Sequence, residues 1–169
     1  NSSSTREYLP IAWVNPPTVP SNKLRIIENA EKHSFAILVS AMHMSWVRHI
    51  GGRIKSDYQY SIGIVYNNFP LINLDPNQIS KLEKSANNIL KEREKDPKAC
   101  LADLYGPDSM SAMLKKAHIE NDRLVDKRYR KSPFKSDLER ADYLLNLFEN
   151  QKNHMKSRKI RKSNFPLGA

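Results

Sequence analysis

Between residues 53 and 59 the chain reads Arg53, Ile54, Lys55, Ser56, Asp57, Tyr58, Gln59. Taken as an extended strand, this run puts Arg53, Lys55, Asp57 and Gln59 on one side and Ile54, Tyr58, Tyr60, Ile62 and Ile64 on the other, because successive side chains point in opposite directions. One face would pack and the other would be free to meet something polar. A Lys ammonium only donates hydrogen bonds and an Asp carboxylate only accepts them. The major-groove edge of a G·C pair asks for both: guanine offers O6 and N7 as acceptors, and the paired cytosine offers its N4 amino group as donor. Two strand residues advance about 6.6–7 Å, so flexible side chains at 55 and 57 can converge on one base pair. The same residues could instead form a surface ion pair worth about 0–1 kcal/mol, and spacing alone favours that pair. Arg53 suits a phosphate and Gln59 a neighbouring base or phosphate. Arg48 and His49, in the last turn of the preceding predicted helix, suit the DNA backbone or the partial negative charge of that helix terminus.

Other polar constellations are less suited to chemistry. His43 and His49 lie six residues apart on a helix and so face different directions. His118 and Asp122, four apart, read as a packing or capping pair rather than half a metal site. Cys100 is the single cysteine, which rules out an intramolecular disulfide and a Cys-based structural zinc and suits an intracellular, cytoplasmic protein. Trp13, Trp46, Tyr58, Tyr60 and Tyr66 are scattered among apolar positions and read as core rather than as a base-stacking platform. None of the five glycines makes a glycine-rich turn that would cradle a cofactor. No catalytic, metal-binding or cofactor-binding residue is therefore assigned.

Several elements must position the polar run. Tyr8–Val14 is short, apolar and β-prone, and the residues Asn15, Pro16, Pro17 and Pro20 break regular structure after it, predicting a strand and a loop. Phe35, Leu38, Val39, Met42, Trp46 and Ile50 recur at helical spacing, with Ile37, Ala41 and Met44 adding a second apolar face. These predict one largely buried helix ended by Gly51 and Gly52 in a left-handed turn. Arg53–Tyr66 predicts one long strand or two short ones. Beyond Pro70 the pattern is helical. Asp75, Pro76 and Gln78 form a capping box ahead of the stripe Ile79, Leu82, Ala86 and Ile89, and Asp96 with Pro97 ends that helix. A short turn at Leu101–Tyr105 precedes a helix marked by Met110, Met113, Leu114, Ala117, Leu124 and Val125, reaching about Tyr129. A last helix opens at Ser136 and Glu139 and is expected to bury Leu138, Ala141, Leu145 and Phe148.

The 169 residues, 39% of them hydrophobic, have room for one ordinary domain, or a small domain joined to part of another. The formal charge of +10 and pI near 9.7 suit a polyanionic partner, since cations that neutralise phosphates release condensed counterions. Six cations and no acid come after Gln151, which leaves the body at +4, with 22 basic against 18 acidic residues. That tail is expected to be a solvated, frayed terminus rather than a specific phosphate arm. No apolar run approaches a membrane span, and the start resembles no signal peptide. A chain opening at Asn1 is expected to be a piece of something longer.

These segments resemble a family: the large single-chain restriction-modification enzymes of type IIG or IIL, which fuse an adenine-N6 methyltransferase to a target recognition domain and a C-terminal helical domain. FAILVSAMHMSWVRHIGGRIKSDYQYSIGIVYNNFP, Phe35–Pro70, is similar to the end of that recognition domain, as are REYLPIAWV, Arg6–Val14, and Ser21 with Asn22. CLADLYGPDSM, Cys100–Met110, LKKAHIENDRLVDKRYR, Leu114–Arg130, and SDLERADYLLNLFE resemble the C-terminal helical domain. Gly106 departs from the pattern, standing where an acidic residue is expected before the proline. The resemblance covers nearly all the chain outside the basic tail.

It implies an α+β chain in which 1–72 is the C-terminal part of a DNA target recognition domain, 73–150 a small helical bundle and 151–169 the tail. It also implies a double-stranded DNA partner, an upstream methyltransferase domain in the same parent chain, and S-adenosylmethionine as that parent's cofactor, with no chemistry in this piece. In this family a pair of polar residues in this segment is associated with base choice, so the resemblance favours base readout by Lys55 and Asp57 over a surface ion pair, with Gln59 beside them. Adenine methyltransferases hold the flipped base with Asn or Asp, two prolines and an aromatic ring. Asn15-Pro16-Pro17 has Thr18 in place of the ring and reads as a structural loop. The competing expectations are a stand-alone basic DNA-binding domain and a helical adaptor without enzymatic role, which steep salt dependence of duplex binding would separate.

Overall fold

The computed structural model describes residues 6–19, 21, 24–55 and 57–163, with side chains described up to residue 154. Asn22 and the tail cations from Lys156 onward, which belong to the expectations above, lie outside the described backbone or side chains.

Ser40 divides what periodicity predicts as one helix. α1 spans Lys32–Leu38 and α2 spans Ala41–Ile50. The Ser40 hydroxyl donates to the Ile37 carbonyl at 2.6 Å and accepts from the His43 N–H at 3.3 Å. It thus ends one helix and caps the next, the role for which serine competes best with continued helix. The Ala41 N–H, another donor that a helix start leaves unpaired, donates to the Asp122 carboxylate at 2.7 Å. Apolar periodicity is blind to this break because both helices keep their buried faces.

Gly51 ends α2 with extended rather than left-handed backbone, at φ −66° and ψ 141°. Glycine is needed here for room, since a Cβ at Gly51 would lie 2.4 Å from the Val47 carbonyl oxygen. The chain then forms a two-stranded antiparallel hairpin, β1 (Gly52–Ile54) and β2 (Asp57–Gln59), with Ile54 opposite Asp57, Arg53 opposite Tyr58 and Gly52 opposite Gln59. Where the long-strand expectation continues, the structure instead winds a π-helix at Ile62–Tyr66. Ser61 caps its start at 3.4 Å, and the Asn68 amide covers the carbonyls of Gly63 and Ile64.

The helical half keeps closer to its sequence pattern. α3 (Pro76–Glu94) opens with the Asp75–Gln78 capping box made in both directions. α4 (Leu101–Leu104) and α5 (Ala112–Tyr129) come next. α6 runs Asp137–Ser163, so its backbone stays helical through much of what the charge pattern reads as a frayed tail. Its buried stripe is Ala141 and Leu144 with half-buried Phe148, whereas Leu138 and Leu145 are exposed.

The N-terminal segment is also reassigned. Tyr8–Val14 makes no strand. Tyr8 and Leu9 are buried against the helices, and the Ile11 carbonyl accepts from Arg93 Nη1 at 2.7 Å, so helix side chains satisfy this backbone in place of a ladder. α1 lies against α3, α3 against α5, and α2 against α6. One apolar core, with Trp46 and Met42 from the first half and Leu82, Ile89, Leu114 and Leu144 from the second, runs across both halves. The result is an α+β chain, predominantly helical, with one small sheet. Among the described residues no helix is long and apolar enough to cross a membrane.

Candidate nucleic-acid interface

The β1–β2 hairpin carries four of the six predicted DNA-contacting residues, and its geometry rearranges them. Lys55 belongs to the connection between the strands, not to a strand, and has φ 56°. The alternation therefore restarts across the turn. Cross-strand partners share a face, so Asp57 lies with Ile54 and Gln59 with Gly52, while Arg53 lies on the opposite face with Tyr58. The expectation of a single polar face bearing Arg53, Lys55, Asp57 and Gln59 is corrected accordingly. Lys55 stands in the turn at the hairpin tip, Asp57 opens β2 beside it, Gln59 follows on the same face as Asp57, and Arg53 lies on the other face. The predicted packing face is corrected as well, since Ile54, Ile62 and Ile64 are exposed and of that set only Tyr58 is buried.

Lys55 is exposed and Asp57 half-exposed, and among the described residues neither is ion-paired. Gln59 is exposed, across from Gly52. The Arg53 guanidinium stacks 4.6 Å above the Tyr58 ring, which steadies a charge that otherwise stands in solvent.

The two helix-end residues differ. Arg48, expected at the DNA backbone, turns inward: it pairs with Asp137 at the start of α6 and donates to the carbonyls of Arg6 and Glu7. Its charge ties α2 to α6 and to the N-terminal segment. His49 is exposed, and its Nδ1 lies 2.8 Å from the Ser45 carbonyl. A carbonyl only accepts, so Nδ1 carries a proton and Nε2 points outward as an acceptor unless the ring is protonated. His49 can donate to a phosphate only as imidazolium.

Beneath the hairpin lie polar contacts that sequence spacing does not reveal. His43, fully buried, shares a hydrogen bond of 2.9 Å between Nε2 and the Tyr60 hydroxyl, and packs edge-on against Phe69. Burial lowers its pKa to about 3, so it is neutral. Trp46 donates from Nε1 to the Val65 carbonyl at 3.0 Å, holding the π-helix. The only trace of these contacts in the sequence is the three-residue spacing of His43 and Trp46, which puts both on one face of α2.

His118 and Asp122 serve the fold. His118 stacks on Tyr8 with centroids 4.2 Å apart and hydrogen-bonds the Tyr105 hydroxyl at 2.6 Å. Asp122 accepts from the Tyr8 hydroxyl at 2.7 Å besides capping α2. Burial raises the Asp122 carboxyl to about 6. Among the described residues no three His, Cys, Asp or Glu side chains gather as a metal site requires. The Asn15-Pro16-Pro17 turn is exposed, and the Asn15 Oδ1 accepts from Trp13 Nε1 at 3.3 Å rather than standing ready for a base.

Comparison with known proteins bears on the same two halves. Residues 1–73 match the family model for the MmeI target recognition domain, and residues 74–156 match that for the MmeI C-terminal domain. DNA methyltransferase A of Bacillus subtilis (strain 168) is 40% identical over 148 residues, which are 88% of this chain and 17% of that protein. The solved structure of the type IIL restriction-modification enzyme MmeI in complex with DNA superposes with a TM-score of 0.85 at 36% identity, over 90% of this chain and 20% of that one. The chain thus spans a fifth or less of the length of these relatives. It belongs to the MmeI family, matching that family's target recognition domain over residues 1–73 and its C-terminal domain over residues 74–156.

Proposed function

We propose that this chain is the DNA-reading part of a site-specific adenine-N6 methyltransferase, positioning duplex DNA and reading base edges with the β1–β2 hairpin. In this reading Lys55 donates to guanine O6 and N7, Asp57 accepts from the N4 amino group of the paired cytosine, and Gln59 meets a neighbouring base or phosphate. Arg53, directed away from them and steadied by Tyr58, holds a phosphate, joined by the exposed His49. Methyl transfer from S-adenosylmethionine is assigned to another domain of the parent enzyme. Arg48 acts from within, through Asp137, to seat the helix that carries the hairpin.

The observation that carries the reading is the backbone of Lys55. A left-handed turn position favours Gly, Asn or Asp, and an ordinary L-residue there costs about 1–2 kcal/mol. Lysine occupies it at φ 56°, exposed and without an ion-pair partner among the described residues. A strained backbone retained under a long donor side chain is what a site that needs the donor would show. The relatives support the same direction, since the solved MmeI structure is a complex with DNA.

Binding of the parent enzyme to its target duplex, and to duplexes altered one base pair at a time, tests the reading. One position should prefer guanine by about 5- to 150-fold, the worth of one good bidentate contact. That preference should vanish in Lys55→Ala, while the remaining positions hold. Uniform weakening at every position would contradict base readout by the hairpin.

A further inference from the structure

The reading hairpin is too small to hold its own direction. Each strand has three residues, β1 is exposed throughout, and an isolated hairpin is marginal in water. Its aim must be set where it is rooted, and both roots lie on α2. On the incoming side, Gly51 donates its N–H to the Val47 carbonyl at 2.9 Å and leaves no space for a side chain. On the outgoing side, Tyr60 meets His43. Val47 and His43 are one helical turn apart, so both roots sit on one rigid element.

The His43 contact is the adjustable one. The ring is fully buried, its Nδ1 has no hydrogen-bond partner among the described residues, and its polar hold is the bond to Tyr60. Leaving a buried polar atom unpaired is costly, so packing alone would favour an apolar side chain at this position. We propose that the His43–Tyr60 hydrogen bond is a positioning contact that fixes the reading hairpin on α2 and thereby sets discrimination at the base pair met by Lys55 and Asp57. The inference rests on the base reading proposed above. Lys55 stands in the turn, about four strand steps from Tyr60, a lever of about 13 Å, so a tilt of about 4° at the root displaces the tip by about 1 Å. A recognition contact tolerates only about 0.5 Å.

The test maps the base preference of methylation, position by position, for the full-length parent and its variants. Tyr60→Phe keeps the ring and removes the hydroxyl. Tyr129→Phe removes a buried hydroxyl, bonded to the Pro70 carbonyl at 3.1 Å away from the hairpin, and serves as the control. Exchange of Lys55 and Asp57 for Glu and Arg identifies the position that the hairpin reads. Tyr60→Phe should weaken the preference at that position about tenfold, a substantial part of one bidentate contact, with other positions within about twofold. Tyr129→Phe should leave the preference intact, and His43→Gln, which keeps a hydrogen-bonding group toward Tyr60, should retain most of it. Unchanged preference in Tyr60→Phe, or an equal loss on all sequences matching that of Tyr129→Phe, overturns the inference while leaving the base reading in place. If the charge exchange alters no position, the base reading fails and the inference falls with it.

Discussion

Lys55→Gly should make the fold more stable and the DNA reading worse. At φ 56° the lysine backbone sits where a Cβ meets its own carbonyl, at a cost of about 1–2 kcal/mol that glycine does not carry. Glycine returns about 0.5–1 kcal/mol of that through its greater freedom in the unfolded chain. The net expectation is about 0.5–1 kcal/mol of added stability, which for a chain of 169 residues raises Tm by about 1–4 °C. Lys55→Asn, which also tolerates the left-handed region, should fall between glycine and lysine. Removing the ammonium should at the same time cost about 1–3 kcal/mol of discrimination at a single base pair. Thermal melting of the chain, paired with competition between duplexes that differ only at that pair, reads both effects. A glycine variant that melts at or below the native chain would remove the strain argument, and one that keeps the guanine preference would remove Lys55 from the reading.

The buried groups and the hairpin charges lead to three further expected outcomes. Burial raises the folded Asp122 carboxyl from 3.8 to about 6, so the folded state binds the extra proton and this group's stabilising contribution, complete below the unfolded value, is lost as pH rises toward 6. Denaturant titrations of the native chain and Asp122→Asn should therefore diverge across that window by up to about 3 kcal/mol, the variant lacking the decline. Arg48→Ala should lower Tm by removing the tie to Asp137 and the N-terminal carbonyls, yet leave the salt dependence of DNA binding unchanged; a shallower salt slope would place Arg48 on phosphate after all. Arg53→Ala should do the reverse, reducing the slope of log K against log salt by about 0.9 with base preferences intact.

How much of the fold the sequence discloses depends on the reach of its signals. The α3 capping box is legible because all its parts lie within four residues, from Asp75 to Gln78. The apolar stripe of α3 is legible because burial imposes a helical period, whereas that of α5 is legible only from Leu114 on, since Met113 is exposed and Met110 precedes the helix. Periodicity cannot see the break at Ser40, since α1 and α2 continue one apolar face while the decisive partner, Asp122, lies 81 residues from Ala41. Alternation likewise cannot place a turn: Lys55 and Asp57 alternate in sequence as a strand would, but the left-handed backbone at Lys55 reverses the chain and sends Arg53 to the other face. Arg48 gives no local sign of its commitment because Asp137 is 89 residues distant. Lys55 and Asp57 stand out in the sequence by their chemistry, whereas the His43–Tyr60 and Trp46–Val65 hydrogen bonds beneath the hairpin require the fold.

The most direct measurement is a map of adenine methylation on mixed-sequence DNA by the full-length parent and by its Lys55→Glu, Asp57→Arg double variant, which exchanges donor and acceptor at the hairpin tip. The expected result is a change at one position of the recognition sequence from G toward C, with every other position and the methylated adenine unchanged. Retention of the original sequence at normal activity would contradict the claim that this hairpin reads a base pair.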